Sequence, residues 1–298
     1  MIIKVIGCGN AFSKVNYNQS FLIIEEYEGK TRKMLVDAGS RVPLALDYHS
    51  ISINDIDDLY ISHQHADHIG ALEEFAFMRY DWANRPRDNK DWEKLDKKRI
   101  NLIGDSQLLK DTWNTSLKGG LQSMESFVAK LDTFYKPVPI KPNQKVKWQG
   151  WTLSLIQQMH VMSGSVIMNS FGVMLEKEGH QTVYIPTDSQ HFSPIQIKEF
   201  YDQADIILQD CECAGVDVFN EKVVFTSGVH ANFGQLAGFD SCNVTKLSSE
   251  VKNKMWLSHY QDFVSEDKDF MGKAVDWQEK AREYGFKGFL TLGQELEV

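Results

Sequence analysis

Cysteine is scarce: the 298-residue chain has four, Cys8, Cys211, Cys213 and Cys242. That number and irregular spacing exclude a disulfide framework and suit a reducing cytoplasm, where the chain is expected to act. Long apolar runs are missing too. No window approaches the roughly 18 residues that a membrane-spanning helix needs, so no membrane partner is expected. The opening MIIKVIGCGN is too short an apolar stretch for a signal peptide and reads as a first strand. Positive charge is in deficit, with 32 Lys and Arg against 41 Asp and Glu and a formal net charge of -9. Long nucleic acid is held mainly by neutralising phosphates, so this balance argues against a long polyanionic substrate. No Pro/Gly-rich linker, low-complexity tract or short repeat divides the chain, and one domain over residues 1–298 is expected.

With 42% apolar and 24% charged residues, the composition excludes disorder. Short β-branched and aromatic runs alternate with helical patterns, the signature of an α/β fold. Strands are expected at 2–6, 20–24, 33–36, 59–62, 101–103 and 152–157, then at 170–175, 182–185, 205–208, 255–257 and 289–292. Asp105 should cap a helix through Leu108, Leu109 and Trp113, and Ser193-Pro194 should open another. Phe270, Ala274, Trp277, Ala281 and Tyr284 keep helical 4-3-4-3 spacing up to Gly285, which predicts a core-facing stripe. Residues 79–99 are dense in charge and weak in periodicity. They read as a solvated loop, or as an insertion acting as a lid or subunit contact through Tyr80, Trp82 and Trp92.

Chemistry concentrates in one hexapeptide, His63-Gln64-His65-Ala66-Asp67-His68. A lone histidine is usually structural, whereas three histidines and an aspartate within six residues point to metal. His63 and His65 follow a strand and, two apart, can share one ion. Asp67 and His68 lie around the bend and can face a second. Imidazole and carboxylate without thiolate suit two divalent ions, Zn²⁺ or alternatively Mn²⁺, rather than a closed structural zinc. Further ligands should come from other strand ends: His160 closing TLSLIQQMH, Asp188 after VYIPT and His259 after MWLS. The expected sets are His63, His65 and His160 for one ion and Asp67, His68 and His259 for the other, bridged by Asp188.

HQHADH matches the H-x-H-x-D-H motif of the metallo-β-lactamase superfamily, and His160, Asp188 and His259 fall in that superfamily's order. The resemblance spans nearly the whole chain and implies a four-layer αβ/βα sandwich with a dimetal site along one edge. Gly7-Cys8-Gly9-Asn10-Ala11, Asn18-Gln19-Ser20 and the Asp37-Ala38-Gly39 turn are similar to the ribonuclease Z branch of phosphodiesterases. Gly228-Val229-His230-Ala231-Asn232 resembles that branch's H-x-T element and implies His230 as general acid. Asp67 counts there with the catalytic residues. The branch's His-Glu-Ala-Thr element is replaced by Gln209 and Asp210, of which Asp210 keeps a carboxylate that can orient His230. Gln261 and Asp262 depart from the family ending after His259.

The segment between His160 and Asp188 is too short for the tRNA-gripping arm of ribonuclease Z. This arrangement resembles phage cyclic-nucleotide phosphodiesterases directed against Pycsar immune signalling. The resemblance implies a homodimer that opens a small cyclic nucleotide inside the host cell. Phe192, Phe233 or Tyr260 would then stack the base. Three other readings stay open: a tRNA 3′-processing endonuclease, a lactonase or thioesterase-type acyl hydrolase, and a non-catalytic nucleotide-sequestering protein.

Overall fold

The protein is described by a computed structural model covering residues 1–84, 99–141, 144–242 and 244–298. Its strands begin with β1 (Ile2–Gly7), β2 (Ser20–Tyr27), β3 (Lys30–Val36), β4 (Asp58–Tyr60) and β5 (Ile100–Asp105). A small hairpin, β6 (Ser123–Met124) with β7 (Phe127–Val128), leads to β8 (Tyr135–Ile140) and β9 (Lys145–Trp148). Next come β10 (Trp151–Ser163), β11 (Val166–Glu176), β12 (Val183–Thr187) and β13 (Ile206–Asp210). A second small hairpin, β14 (Val216–Asp217) with β15 (Lys222–Val223), precedes β16 (Met255–Ser258), β17 (Gly288–Phe289) and β18 (Glu295–Glu297).

Fourteen of these strands form two seven-stranded sheets, ordered β18-β1-β2-β3-β4-β5-β8 and β17-β16-β13-β12-β11-β10-β9. Each sheet is antiparallel in one half and parallel in the other. Period-two alternation builds the layers. Phe21, Ile23, Met34 and Val36 join Leu153, Val173 and Ile185 in one buried cluster. Their neighbours Leu22 and Leu35 turn the other way, onto helices α1 (Val42–Tyr48) and α3 (Leu72–Asn84), with Ala45, Leu46 and Phe75. The larger cluster continues through the second sheet to Phe233, Trp277 and Ala281. The result is the expected αβ/βα sandwich. On the edge strand β8, Pro137 and Pro139 remove backbone donors that another strand could pair with.

Three sequence expectations change. First, β10 does not stop near His160 but runs on to Ser163, with a register shift between Met159 and Val161. Such a bulge re-aims a side chain in mid-strand. Second, the 270–284 stripe is helical only over Trp277–Glu283, because Asp276 caps the helix by accepting from the Glu279 amide at 2.8 Å. Phe270 and Ala274 precede the helix, and Ala274 is exposed. Third, Arg79 and Tyr80 belong to α3: Arg79 is buried and donates to the Asn54 carbonyl at 2.6 Å and to the Ile56 carbonyl. The Trp82 side chain and all of Trp92 lie outside the described residues. The caps at Asp105 and Ser193 form as expected.

Candidate metal centre

The hexapeptide leaves β4 and turns at once into the short helix α2 (Ala66–Ile69). His65 is the extended N-cap residue, while Asp67 and His68 sit in the helical turn and are buried. Gly39 is required beside them, since a Cβ there would lie 1.9 Å from the Asp67 carbonyl oxygen. Beside the centre, Asp37 (φ 63), Thr187 (φ 60) and His259 (φ 60) adopt left-handed backbone at strand ends. For β-branched Thr187 this is costly, and it turns the chain so that Asp188 enters the centre.

The side chains converge in two sets. His63 Nε2 lies 3.1 Å from His65 Nδ1, and His160 Nε2 lies 3.0 Å from the same atom. Tautomers follow from the outer partners. His160 Nδ1 faces the Val229 carbonyl at 2.9 Å and must donate to it, which leaves Nε2 bare. Ser62 Oγ donates to Asp37 Oδ2 at 2.7 Å and therefore accepts from His63 Nδ1 at 3.0 Å, leaving that Nε2 bare as well. His68 Nδ1 donates to Asp37 Oδ2 at 2.7 Å, and its Nε2 faces Asp188 Oδ2 at 3.2 Å and Asp67 Oδ2 at 3.3 Å. His259 Nε2 stands 3.3 Å from Asp67 Oδ2 and 3.5 Å from Asp188 Oδ2.

These donors fit divalent ions. Among the described residues, His68 Nε2 and Asp188 Oδ1 are buried without a hydrogen-bond partner, an arrangement that a cation relieves. One set is His63, His65, His160 and Asp188; the other is Asp67, His68, Asp188 and His259; in each, the ligand atoms lie within 4.8 Å of one another. They correspond to the two ligand sets expected for the two ions, with Asp188 in both. A third set, Asp188, Asp210, His230 and His259, overlaps them and was not foreseen as a group.

Electrostatics prepare the ligands. Burial pushes the His160 imidazole down to about 4 and, with the charge of His68, holds His63 well below its ordinary value. Burial would raise Asp67 and Asp188, but the surrounding imidazoles outweigh it and keep both ionised. His68 goes the other way, raised against its burial by Asp188 and Asp67, and so does His230. Burial opposes the charge of His230, yet Asp210 and Asp188 carry it up to about 10. Its Nδ1 is 3.0 Å from Asp210 Oδ2, so the expected contact with Asp210 is present. Gln209 does not reach His230; it binds the Tyr201 hydroxyl at 2.8 Å and the Asp210 carbonyl at 3.0 Å.

Other expected residues fall elsewhere. Phe192, Phe233 and Tyr260 are buried in the core, and the Tyr260 hydroxyl donates to the Leu290 carbonyl at 2.5 Å, so none offers a free face to a base. In the larger buried cluster, Phe192 packs on Tyr201, Phe233 on Trp277 and Tyr260 on Phe289 instead. Cys211 and Cys213 are buried and take no part in the ligand sets. His180 and His191 are exposed and His49 is half-buried, none of them in a ligand set. Gln261 and Asp262 are structural: Gln261 accepts from the Cys213 amide at 2.8 Å, and Asp262 takes the Lys14 amide at 2.7 Å. Sequence reasoning missed Ser62 and the Val229 carbonyl, which orient ligands through contacts that no motif announces.

A protein-family model described as anti-Pycsar protein Apyc1 matches residues 1–284. The chain belongs to the Apyc1 family. A curated anti-Pycsar protein Apyc1 from Bacillus phage vB_BveM-Goe7 is 29% identical over 288 residues, covering 94% of this chain and 96% of that protein. The fold is shared more widely. The metallo-β-lactamase fold protein YhfI from Bacillus subtilis superposes with a TM-score of 0.64 at 17% identity, covering 100% of this chain and 99% of its own. The short form of human tRNase Z gives 0.59 at 13% identity, with coverage of 100% and 99%. No described helix of this Apyc1-family chain is long and apolar enough to cross a membrane.

Within the Apyc1-family centre, Asp37 supports both sets at once, directly on His68 and through Ser62 on His63. Outer-shell partners of this kind are worth about 10- to 100-fold in metal affinity. Asp37→Asn is therefore expected to weaken binding by roughly that factor. Competition against a chromophoric chelator measures it, and an unchanged affinity would remove Asp37 from this role.

Proposed function

We propose that the chain is a dinuclear metal-dependent phosphodiesterase that opens cyclic nucleotides to nucleoside monophosphates. The observation that carries this reading is the His230–Asp210 pair beside two ligand sets that share Asp188. Two divalent ions, with Zn²⁺ the first choice, would acidify a water and neutralise the phosphoryl oxygens.

The chain's own part is proton delivery. Asp210 holds Nδ1 of His230, so the proton available to a leaving group is on Nε2. Burial opposes charge on that imidazole, and the Asp210 carboxylate in contact with it favours the protonated form that a general acid requires. Opening the ring forms a new P–O bond to water oxygen and breaks the bond to one ribose oxygen. That oxygen takes the His230 proton, and the water releases one. Asp67 stays ionised opposite His259 and His68, ready to accept hydrogen bonds or hold a cation.

The family designation anti-Pycsar supports a role against cyclic-nucleotide immune signalling in the cytoplasm of the infected cell. A tRNA substrate is disfavoured because β10 and β11 meet in a tight turn at Gly164-Ser165, leaving no room for a gripping arm. Exposed Met162, Val166 and Ile167 at that hairpin tip support a homodimer as the working assembly.

The test is a product assay with the metal-loaded protein on a panel of 3′,5′-cyclic mononucleotides, with precursor tRNA, a lactone and a thioester alongside. Conversion of cyclic nucleotides to monophosphates is expected. No turnover of any cyclic nucleotide by protein holding two ions overturns the reading, and stoichiometric binding without turnover would indicate sequestration.

A further inference from the structure

We propose that Glu212 is a positioning residue that holds the loop before His230 and, through it, sets the ring of His160. Its action on His160 is independent of the proposed function; its action on His230 rests on that reading.

Residues 224–228 are exposed, whereas Glu212 is only 6% exposed. One carboxylate oxygen of Glu212 accepts from Thr226 Oγ1 at 3.1 Å, Ser227 N at 3.1 Å and Ser227 Oγ at 3.0 Å. Its backbone grips the other end of the same segment. The Glu212 amide donates to the Ala231 carbonyl at 2.8 Å, and the Phe233 amide donates to the Glu212 carbonyl at 2.8 Å. One residue therefore clamps the loop on both sides.

Two functional atoms lie between the clamped ends. The Val229 carbonyl accepts from His160 Nδ1 at 2.9 Å, and His230 Nδ1 meets Asp210 at 3.0 Å. The link is short: Thr226 Oγ1 accepts from the Gly228 amide at 3.1 Å, and Ser227 Oγ accepts from Val229 N at 3.4 Å. Gly228 has φ 74, which lets the chain reverse there. The Val229 carbonyl is what keeps the proton of His160 on Nδ1 and its Nε2 bare for a cation. If Glu212 lets go, Thr226 and Ser227 find water instead, and the carbonyl loses its fixed place. Glutamine retains an amide oxygen that can accept the same donors; alanine retains nothing.

The experiment compares Glu212→Ala with Glu212→Gln in the full chain. For alanine, affinity for one of the two ions should fall about 10-fold or more, as when an outer-shell partner is lost. The amides of Ser227 and Ala231 should lose hydrogen-exchange protection in the metal-free protein. Turnover of bis(p-nitrophenyl) phosphate should fall mainly in kcat, with KM little changed. Glutamine should restore most of the affinity and the protection. Wild-type affinity and protection in Glu212→Ala overturn the proposal, as does a glutamine variant as impaired as alanine. If Glu212→Ala fails to fold, the exposed double change Thr226→Ala with Ser227→Ala should weaken the same ion, and an unchanged affinity there also overturns it. Metal affinity and exchange do not depend on cyclic-nucleotide turnover, so the two readings fail separately.

Discussion

Asp188→Asn is expected to lose at least one ion and to reduce turnover by on the order of 10³-fold or more. One oxygen of Asp188 faces five imidazoles: His68 at 3.2 Å, His259 at 3.5 Å, His160 at 3.7 Å, and His63 and His230 at 3.8 Å. Its other oxygen is buried without a hydrogen-bond partner among the described residues. The amide keeps the volume and removes the anion common to all three ligand sets. Ion contributions of several kcal/mol to the transition state correspond to about a thousandfold in rate. A second readout is thermal. An ion that binds only the folded chain raises its melting temperature, and that rise should shrink in the variant. Elemental analysis and melting with and without Zn²⁺ check both effects. A folded variant with two ions and near-native turnover would show that Asp188 is not the bridge.

His230→Ala is expected to slow ring opening of a cyclic nucleotide by about 10²- to 10⁴-fold, the usual worth of a positioned general acid, while both ions remain bound. The leaving ribose oxygen is a poor anion and needs the proton. A p-nitrophenolate leaves readily without one, so the loss should be much smaller on bis(p-nitrophenyl) phosphate. This contrast separates proton delivery from ion binding, which matters because His230 also belongs to the third ligand set. Equal losses on both substrates, together with a lost ion, would make His230 a ligand instead. Full activity on a lactone or thioester alone would return the acyl-hydrolase reading.

The site was legible where chemistry is contiguous. His63, His65, Asp67 and His68 fall within six residues, and a strand running into a turn brings them together. His160, Asp188 and His259 were reachable because each adjoins an apolar strand and the order matches a known superfamily. Their local geometry was not. His160 sits inside a strand at a bulge, since pairing with β11 continues beyond it. The 270–284 stripe kept its helical period, yet Asp276 capped the helix and excluded its first two members. Phe192, Phe233 and Tyr260 looked available as aromatics near motif residues, but burial of their rings in the core took precedence.

By itself, the sequence determined the α/β class, the imidazole- and carboxylate-rich, thiolate-free character of the candidate centre and, with the superfamily resemblance, the identity of its candidate ligands, because periodicity, spacing and motif order act along the chain. Only the tertiary structure decided what those side chains meet. Asp37 reaches both His68 and Ser62, the Val229 carbonyl sets a tautomer on His160, and Glu212 holds the loop between them. Hydrogen bonds between His160 and Val229 or between Asp37 and His68 join residues far apart in the chain, and sheet register and strand-end turns bring them within about 3 Å of each other. Spacing assigns a side chain to a face; the folded sheets decide which group stands opposite it.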